Sequence, residues 1–103
     1  MSKLVRDKIP EIIRAHDGVD PVCRIISHDA EFRQALDAKL DEEIAELRSA
    51  LDEKSRVEEI ADVMEVLLAI ARRDGHTPEQ IEDIRIQKRD KRGGFELGII
   101  LEQ

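Results

Sequence analysis

The 103-residue sequence predicts an all-α fold, an antiparallel bundle of three or four helices with a small extended cap. Phe32 and Phe95 are its only aromatic residues, so the core must be built from Leu, Ile, Val, Ala and Met. That palette suits helix-on-helix packing better than a β-sandwich. Charged residues make up 40% of the chain and hydrophobic residues 41%. This balance fits long amphipathic helices with solvated outer faces, and it is too apolar and too periodic for a disordered chain. The length suits one domain, spanning 1–103, with no linker to divide it.

Ile9, Ile12 and Ile13 carry the first helical pattern, over 3–16, with Asp7 as the expected N-cap, Pro10 in the first turn and Asp17-Gly18 as the stop. Val22-Cys23-Arg24-Ile25-Ile26 is a short β-branched run after Asp20-Pro21 and reads as extended, expected to pair with or pack against Gly98-Ile99-Ile100-Leu101. Over 29–52, Phe32, Leu36, Leu40, Ile44, Leu47 and Leu51 hold one apolar stripe for roughly six turns. Ser55-Arg56-Val57-Glu58 has the form of a capping box and opens the next helix, which continues through Ile60, Met64, Leu67 and Ala71 to Asp74-Gly75. Thr77-Pro78-Glu79-Gln80 is a further start signal, for a helix reaching about Lys91 before Gly93-Gly94 breaks it.

The net charge of −7 argues against binding a nucleic-acid polymer, whose phosphates the average field would repel. Cys23 is the single cysteine, so no intramolecular disulfide and no oxidising compartment are needed. The N-terminus has no apolar signal segment and no apolar run approaches a membrane span, which makes a cytoplasmic protein without a membrane partner the expectation.

Two helices place acids where solvation alone does not explain them. Residues 42–46 read E-E-x-x-E and residues 58–62 read E-E-x-x-D. With Glu43 at zero on a wheel of about 100° per residue, Leu36, Leu47 and Leu40 fall near 20°, 40° and 60°, while Glu46 flanks at about −60°. With Glu59 at zero, Val66, Ile70 and Val63 fall near −20°, 20° and 40°, and Asp62 flanks at about −60°. Both helices therefore aim a pair of acids at the seam where they would meet. Glu42 and Glu58 lie further towards solvent. Four carboxylates on one seam repel each other and lose hydration unless a cation joins them. A hard divalent cation with oxygen ligands answers that need, Mg²⁺ first and Mn²⁺ as its substitute.

The rival reading is that E-x-x-E on a solvated helix is common in a chain with 24 acids. Matching wheel positions on adjacent helices is the more specific signal. A di-iron bundle would want Glu-x-x-His on two helices. His16, His28 and His76 all lie near predicted helix ends, and none follows a Glu at that spacing.

E-E-x-x-E followed by E-x-x-D across a helical hairpin resembles the signature of the all-α nucleotide pyrophosphohydrolase superfamily. That superfamily includes MazG, dimeric dUTPases and phosphoribosyl-ATP pyrophosphohydrolase. The opening Lys3-Leu4-Val5-Arg6-Asp7-Lys8-Ile9-Pro10 and the closing Lys91-Arg92-Gly93-Gly94-Phe95 are similar to its small house-cleaning branch. The resemblance implies Glu43, Glu46, Glu59 and Asp62 as catalytic Mg²⁺ ligands. It also implies hydrolysis of a nucleoside triphosphate, of non-canonical kind in that branch, to the monophosphate and pyrophosphate. Phosphoribosyl-ATP of histidine biosynthesis is the alternative substrate. A non-catalytic acidic helical module that binds a basic partner is the alternative of another class.

Such chemistry needs cations on the polyphosphate. Lys88, Arg89, Lys91 and Arg92 cluster before Gly93-Gly94, with Arg6 and Lys8 as second candidates. Basic residues also favour helix C-termini through the macrodipole, so the cluster by itself is weak evidence. Phe95 is a candidate base contact or a core residue, and Lys39 either touches the site or neutralises it. The helix carrying Glu59 is apolar over nearly 200° of its wheel, wider than one facing helix covers. A homo-oligomer, at least a dimer with a four-helix core, is therefore expected, as the resemblance also implies.

Overall fold

Backbone capping decides where the helices of this chain begin and end. The computed structural model describes residues 2–103, whose helices are α1 (Ile9–Asp17), α2 (Asp29–Ser49), α3 (Glu53–Arg73) and α4 (Pro78–Arg92). The all-α expectation holds, and no strand forms among the described residues.

Helix α1 starts later than the apolar pattern implied. Lys8, not Asp7, is its N-cap, with φ −91° and ψ −3° and no side-chain bond. Carbonyls of the preceding turn accept the first donors instead: Arg6 O accepts from Ile9 N at 3.0 Å and Lys8 O from Ile12 N at 3.1 Å. Gly18 closes the helix at φ 76°, a left-handed conformation suited to glycine, and its N–H donates to Arg14 O at 2.8 Å.

Helix α2 ends three residues before its predicted limit, because Ala50 turns extended at ψ 126°. Leu51 consequently leaves the apolar stripe and stands 98% exposed in the turn. The cause lies at the next helix start. Asp52 Oδ1 accepts from Ser55 N at 2.7 Å and Asp52 O accepts from Arg56 N at 3.0 Å. Asp52 thus caps α3, and the expected Ser55–Glu58 capping box does not form at that position. The predicted Thr77 box does form: Gln80 N donates to Thr77 Oγ1 at 3.1 Å and Thr77 N donates to Gln80 Oε1 at 2.8 Å. At the far end of α4, Gly93 N donates to Arg89 O at 2.7 Å with Gly93 at φ 81°.

The two β-branched runs remain irregular. Val22 and Ile25 are fully exposed, Ile99 and Ile100 nearly so, and no ladder joins the runs. An isolated pair of short strands is marginal in water, so strand propensity had no sheet to act on. Arg24 instead tethers its run to α2 through an ion pair with Glu31.

The chain forms two compact units, one reaching Ile70 and the other running from Ala71 to Gln103. In the first, a three-residue connection, 50–52, returns the chain from α2 to α3 as an antiparallel hairpin. Its most buried residues are Leu36, Glu43 and Val66. Val57, Ile60, Met64 and Leu67, spaced as one stripe along α3, are all exposed. The second unit holds the end of α3, α4 and the segment after it, along which Phe95, Leu97, Ile99, Ile100 and Leu101 stand exposed. No helix among the described residues is long and apolar enough to cross a membrane.

Candidate metal centre

Glu43 sits in the middle of the apolar stripe of α2 because seven residues, nearly two turns, separate it from Leu36 and keep both on one face. It is 7% exposed, a carboxylate among the most buried side chains in the unit. Glu46 follows one turn later and is exposed, while Glu59 projects from the second turn of α3 and is half-buried. One carboxylate oxygen from each of Glu43, Glu46 and Glu59 lies within 4.8 Å of the others.

Such a cluster needs positive charge, and Lys39 supplies part of it. Its Nζ lies 3.3 Å from Glu43 Oε1 and 3.3 Å from Glu42 Oε2, one turn away on the same helix. Burial lowers the Lys39 ammonium, but the bonds and charge of Glu42 and Glu43 outweigh it, so the group titrates above the usual lysine value. Burial pushes the Glu43 carboxyl above its ordinary range; Lys39 opposes this and the adjoining Glu46 carboxylate adds to it.

One cation is not enough. Glu43 Oε2 and Glu59 Oε2 are buried without a hydrogen-bond partner among the described residues. A buried acceptor left unsatisfied costs about 1–3 kcal/mol, more when charged. Two orphaned oxygens beside a third carboxylate form an all-oxygen donor set, the chemistry preferred by a hard divalent cation. The residues present therefore fit such an ion.

The fourth acid of the sequence reading stands apart from this group. Asp62 Oδ1 accepts from Arg6 Nη2 at 2.6 Å, so Asp62 is engaged by a residue 56 positions away. Lys3 Nζ lies 3.6 Å from Glu42 Oε1. Lys3 was not among the candidate phosphate contacts; its only signal in the sequence is its place in the Lys3–Pro10 stretch that is similar to the house-cleaning branch. Lys8 is exposed at the cap of α1.

Lys88, Arg89, Lys91 and Arg92 are exposed along the last turns of α4, in the second unit. Arg89 Nη2 is bonded to Glu96 Oε1 at 2.7 Å, and this pair crosses Gly94. A Cβ on Gly94 would meet Arg89 Nη1 and Glu96 Oε2, each at 2.2 Å. The glycine thus makes room for the chain's own ion pair. Phe95 is 98% exposed, which removes the core role considered for it.

The family model described as phosphoribosyl-ATP pyrophosphohydrolase matches residues 23–89, a stretch that contains all four acids. An uncharacterised protein of Mycolicibacterium smegmatis is 64% identical over 50 residues, 48% of this chain and 49% of that protein. The chain thus spans about half the length of the curated relative it matches. No solved structure matches the chain.

Proposed function

This chain belongs to the phosphoribosyl-ATP pyrophosphohydrolase family, and on that premise we propose that residues 1–103 act as one catalytic domain, a Mg²⁺-dependent pyrophosphohydrolase. Water would add across the α–β phosphoanhydride of a nucleoside triphosphate, releasing the monophosphate and pyrophosphate. The observation that carries this reading is the convergence of Glu43, Glu46 and Glu59 with two buried oxygens unpartnered. A divalent cation held there would supply Lewis-acid charge for the phosphate chain and lower the pKa of a water molecule. Glu43 and Glu46 from α2 and Glu59 from α3 would hold the ion. Asp62 would complete the set. Lys39, paired with Glu43, would fix that carboxylate in its rotamer.

Arg6, Lys8, Lys88, Arg89, Lys91 and Arg92 are the proposed phosphate contacts, and the exposed Phe95 ring is the proposed base contact. The proposed location is the cytoplasm, in keeping with a lone Cys23 that calls for no oxidising compartment. The proposed partner besides the nucleotide is a second copy of the chain. The stripe Val57, Ile60, Met64 and Leu67 is 66%, 45%, 56% and 48% exposed, an apolar face that a helix of another copy would cover.

Termini similar to the house-cleaning branch favour a non-canonical nucleoside triphosphate. A second substrate, phosphoribosyl-ATP, is favoured by the description of the family model itself. Both undergo the same bond cleavage, so one experiment tests the reaction and ranks the substrates. A panel of nucleoside triphosphates and phosphoribosyl-ATP is incubated with the protein, with and without Mg²⁺, and pyrophosphate is separated from orthophosphate. Metal-dependent pyrophosphate that disappears in Glu59→Gln is expected. Orthophosphate as the product would rule out α–β cleavage, and turnover of no panel member by folded protein would favour the acidic interaction module.

A further inference from the structure

Residues 3–8 precede the first helix, yet two of their cations reach acids on α2 and α3. Lys3 lies 3.6 Å from Glu42 and Arg6 donates to Asp62 at 2.6 Å. Arg6 stands at the turn that opens α1, where its carbonyl accepts from Ile9 N at 3.0 Å. The segment lies outside residues 23–89, the stretch the family model matches.

The pairing has a consequence for Asp62. Oxygens of Glu43, Glu46 and Glu59 converge within 4.8 Å, while Asp62, one turn beyond Glu59 on the same helix, has its Oδ1 bonded to the guanidinium. A carboxylate so occupied is a poorer cation ligand. With side chains 57% and 37% exposed, the pair faces water, where ion pairs are weak and exchange readily. Guanidinium forks bind phosphate and carboxylate oxygens with the same geometry, so an arginine released from one is equipped for the other.

Resting on the function proposed above, the geometry points to Arg6 as an exchangeable counter-ion. It competes with the divalent cation for Asp62, and it passes to the substrate's phosphate chain when Asp62 turns to the cation. Arg6 is then a positioning residue for Asp62 in the free protein and a phosphate ligand in the loaded one. The device links the two ligands: cation binding frees the arginine, and phosphate binding frees the aspartate. Binding of cation and nucleotide is thereby cooperative.

Calorimetric titration of Mn²⁺, without nucleotide, into the full chain tests the competition. The variants are Arg6→Gln, Arg6→Lys, Asp62→Asn and the double variant Arg6→Gln/Asp62→Asn, each checked for helix content by circular dichroism. Arg6→Gln is expected to tighten Mn²⁺ about two- to fivefold, the range a part-exposed ion pair allows. Arg6→Lys, which keeps the charge without the fork, should fall between it and the wild type. Asp62→Asn should weaken Mn²⁺ and abolish the effect of Arg6→Gln, an interaction that a merely structural strap would not produce. In the pyrophosphate assay the KM of Arg6→Gln should rise. Mn²⁺ binding by the wild type that Arg6→Gln leaves unchanged or weakens overturns this inference alone. Absence of Mn²⁺ binding in every variant overturns the metal site together with it.

Discussion

Replacing Glu43 by glutamine separates the charge of this side chain from its shape. The Glu43 carboxylate is 7% exposed, one oxygen is matched by Lys39 at 3.3 Å, and the other has no partner among the described residues. Like charges about 5 Å apart repel by about 3 kcal/mol at an effective dielectric constant near 20, and Glu43 faces two such neighbours, one of them exposed and better screened. Lys39 offsets roughly one of these repulsions. The amide introduced by Glu43→Gln would keep the acceptor for Lys39 and turn a donor towards Glu46 and Glu59. We therefore expect the metal-free variant to be more stable than wild type by about 1–3 kcal/mol, the cost of one buried unsatisfied acceptor. At about 4–8 °C per kcal/mol for a domain of this size, its Tm should rise by roughly 5 °C or more. Saturating cation should also raise stability, but for the wild type only, adding about 2.7 kcal/mol at a hundred times Kd. The assay is differential scanning calorimetry at fixed protein concentration, with and without Mg²⁺ or Mn²⁺. A lower Tm in the variant together with an intact metal-induced shift would refute the reasoning, leaving Glu43 an ordinary lysine-paired carboxylate.

Three further outcomes follow from the same structure. Glu43 titrates above its ordinary value, so the folded chain binds more protons than the unfolded one, and the contribution of this group to metal-free stability falls as pH rises from about 4.5 through the raised value; a cation displaces that proton, and the Mg²⁺-induced Tm shift should be larger at pH 7.5 than at pH 5. Thr77→Ala removes the hydroxyl half of the box that opens α4 and should lower stability by about 1 kcal/mol without changing Mn²⁺ affinity, as denaturant melts and calorimetry would report. Leu67→Glu introduces charge into the exposed stripe of α3 and should shift the sedimentation coefficient from oligomer to monomer; an unchanged coefficient would place the subunit contact elsewhere.

Features that depend on a few neighbouring residues were readable in the amino-acid order. Thr77 and Gln80 announce their box because cap and partner are three residues apart. Glu43 is buried as the wheel requires, since α-helical geometry alone places it on the face of Leu36. Where two local signals compete, periodicity is a weaker guide: Leu51 continues the stripe of α2 in spacing, yet the cap made by Asp52 turns the chain before it can join the helix. Contacts between distant segments needed the folded chain. The pairing of Arg6 with Asp62, 56 residues apart, and the gathering of Glu46 with Glu59 depend on the angle and register at which the hairpin closes and the N-terminal segment crosses it. Helical periodicity assigns each acid a face; packing between elements then decides which acids meet each other and which meets an arginine.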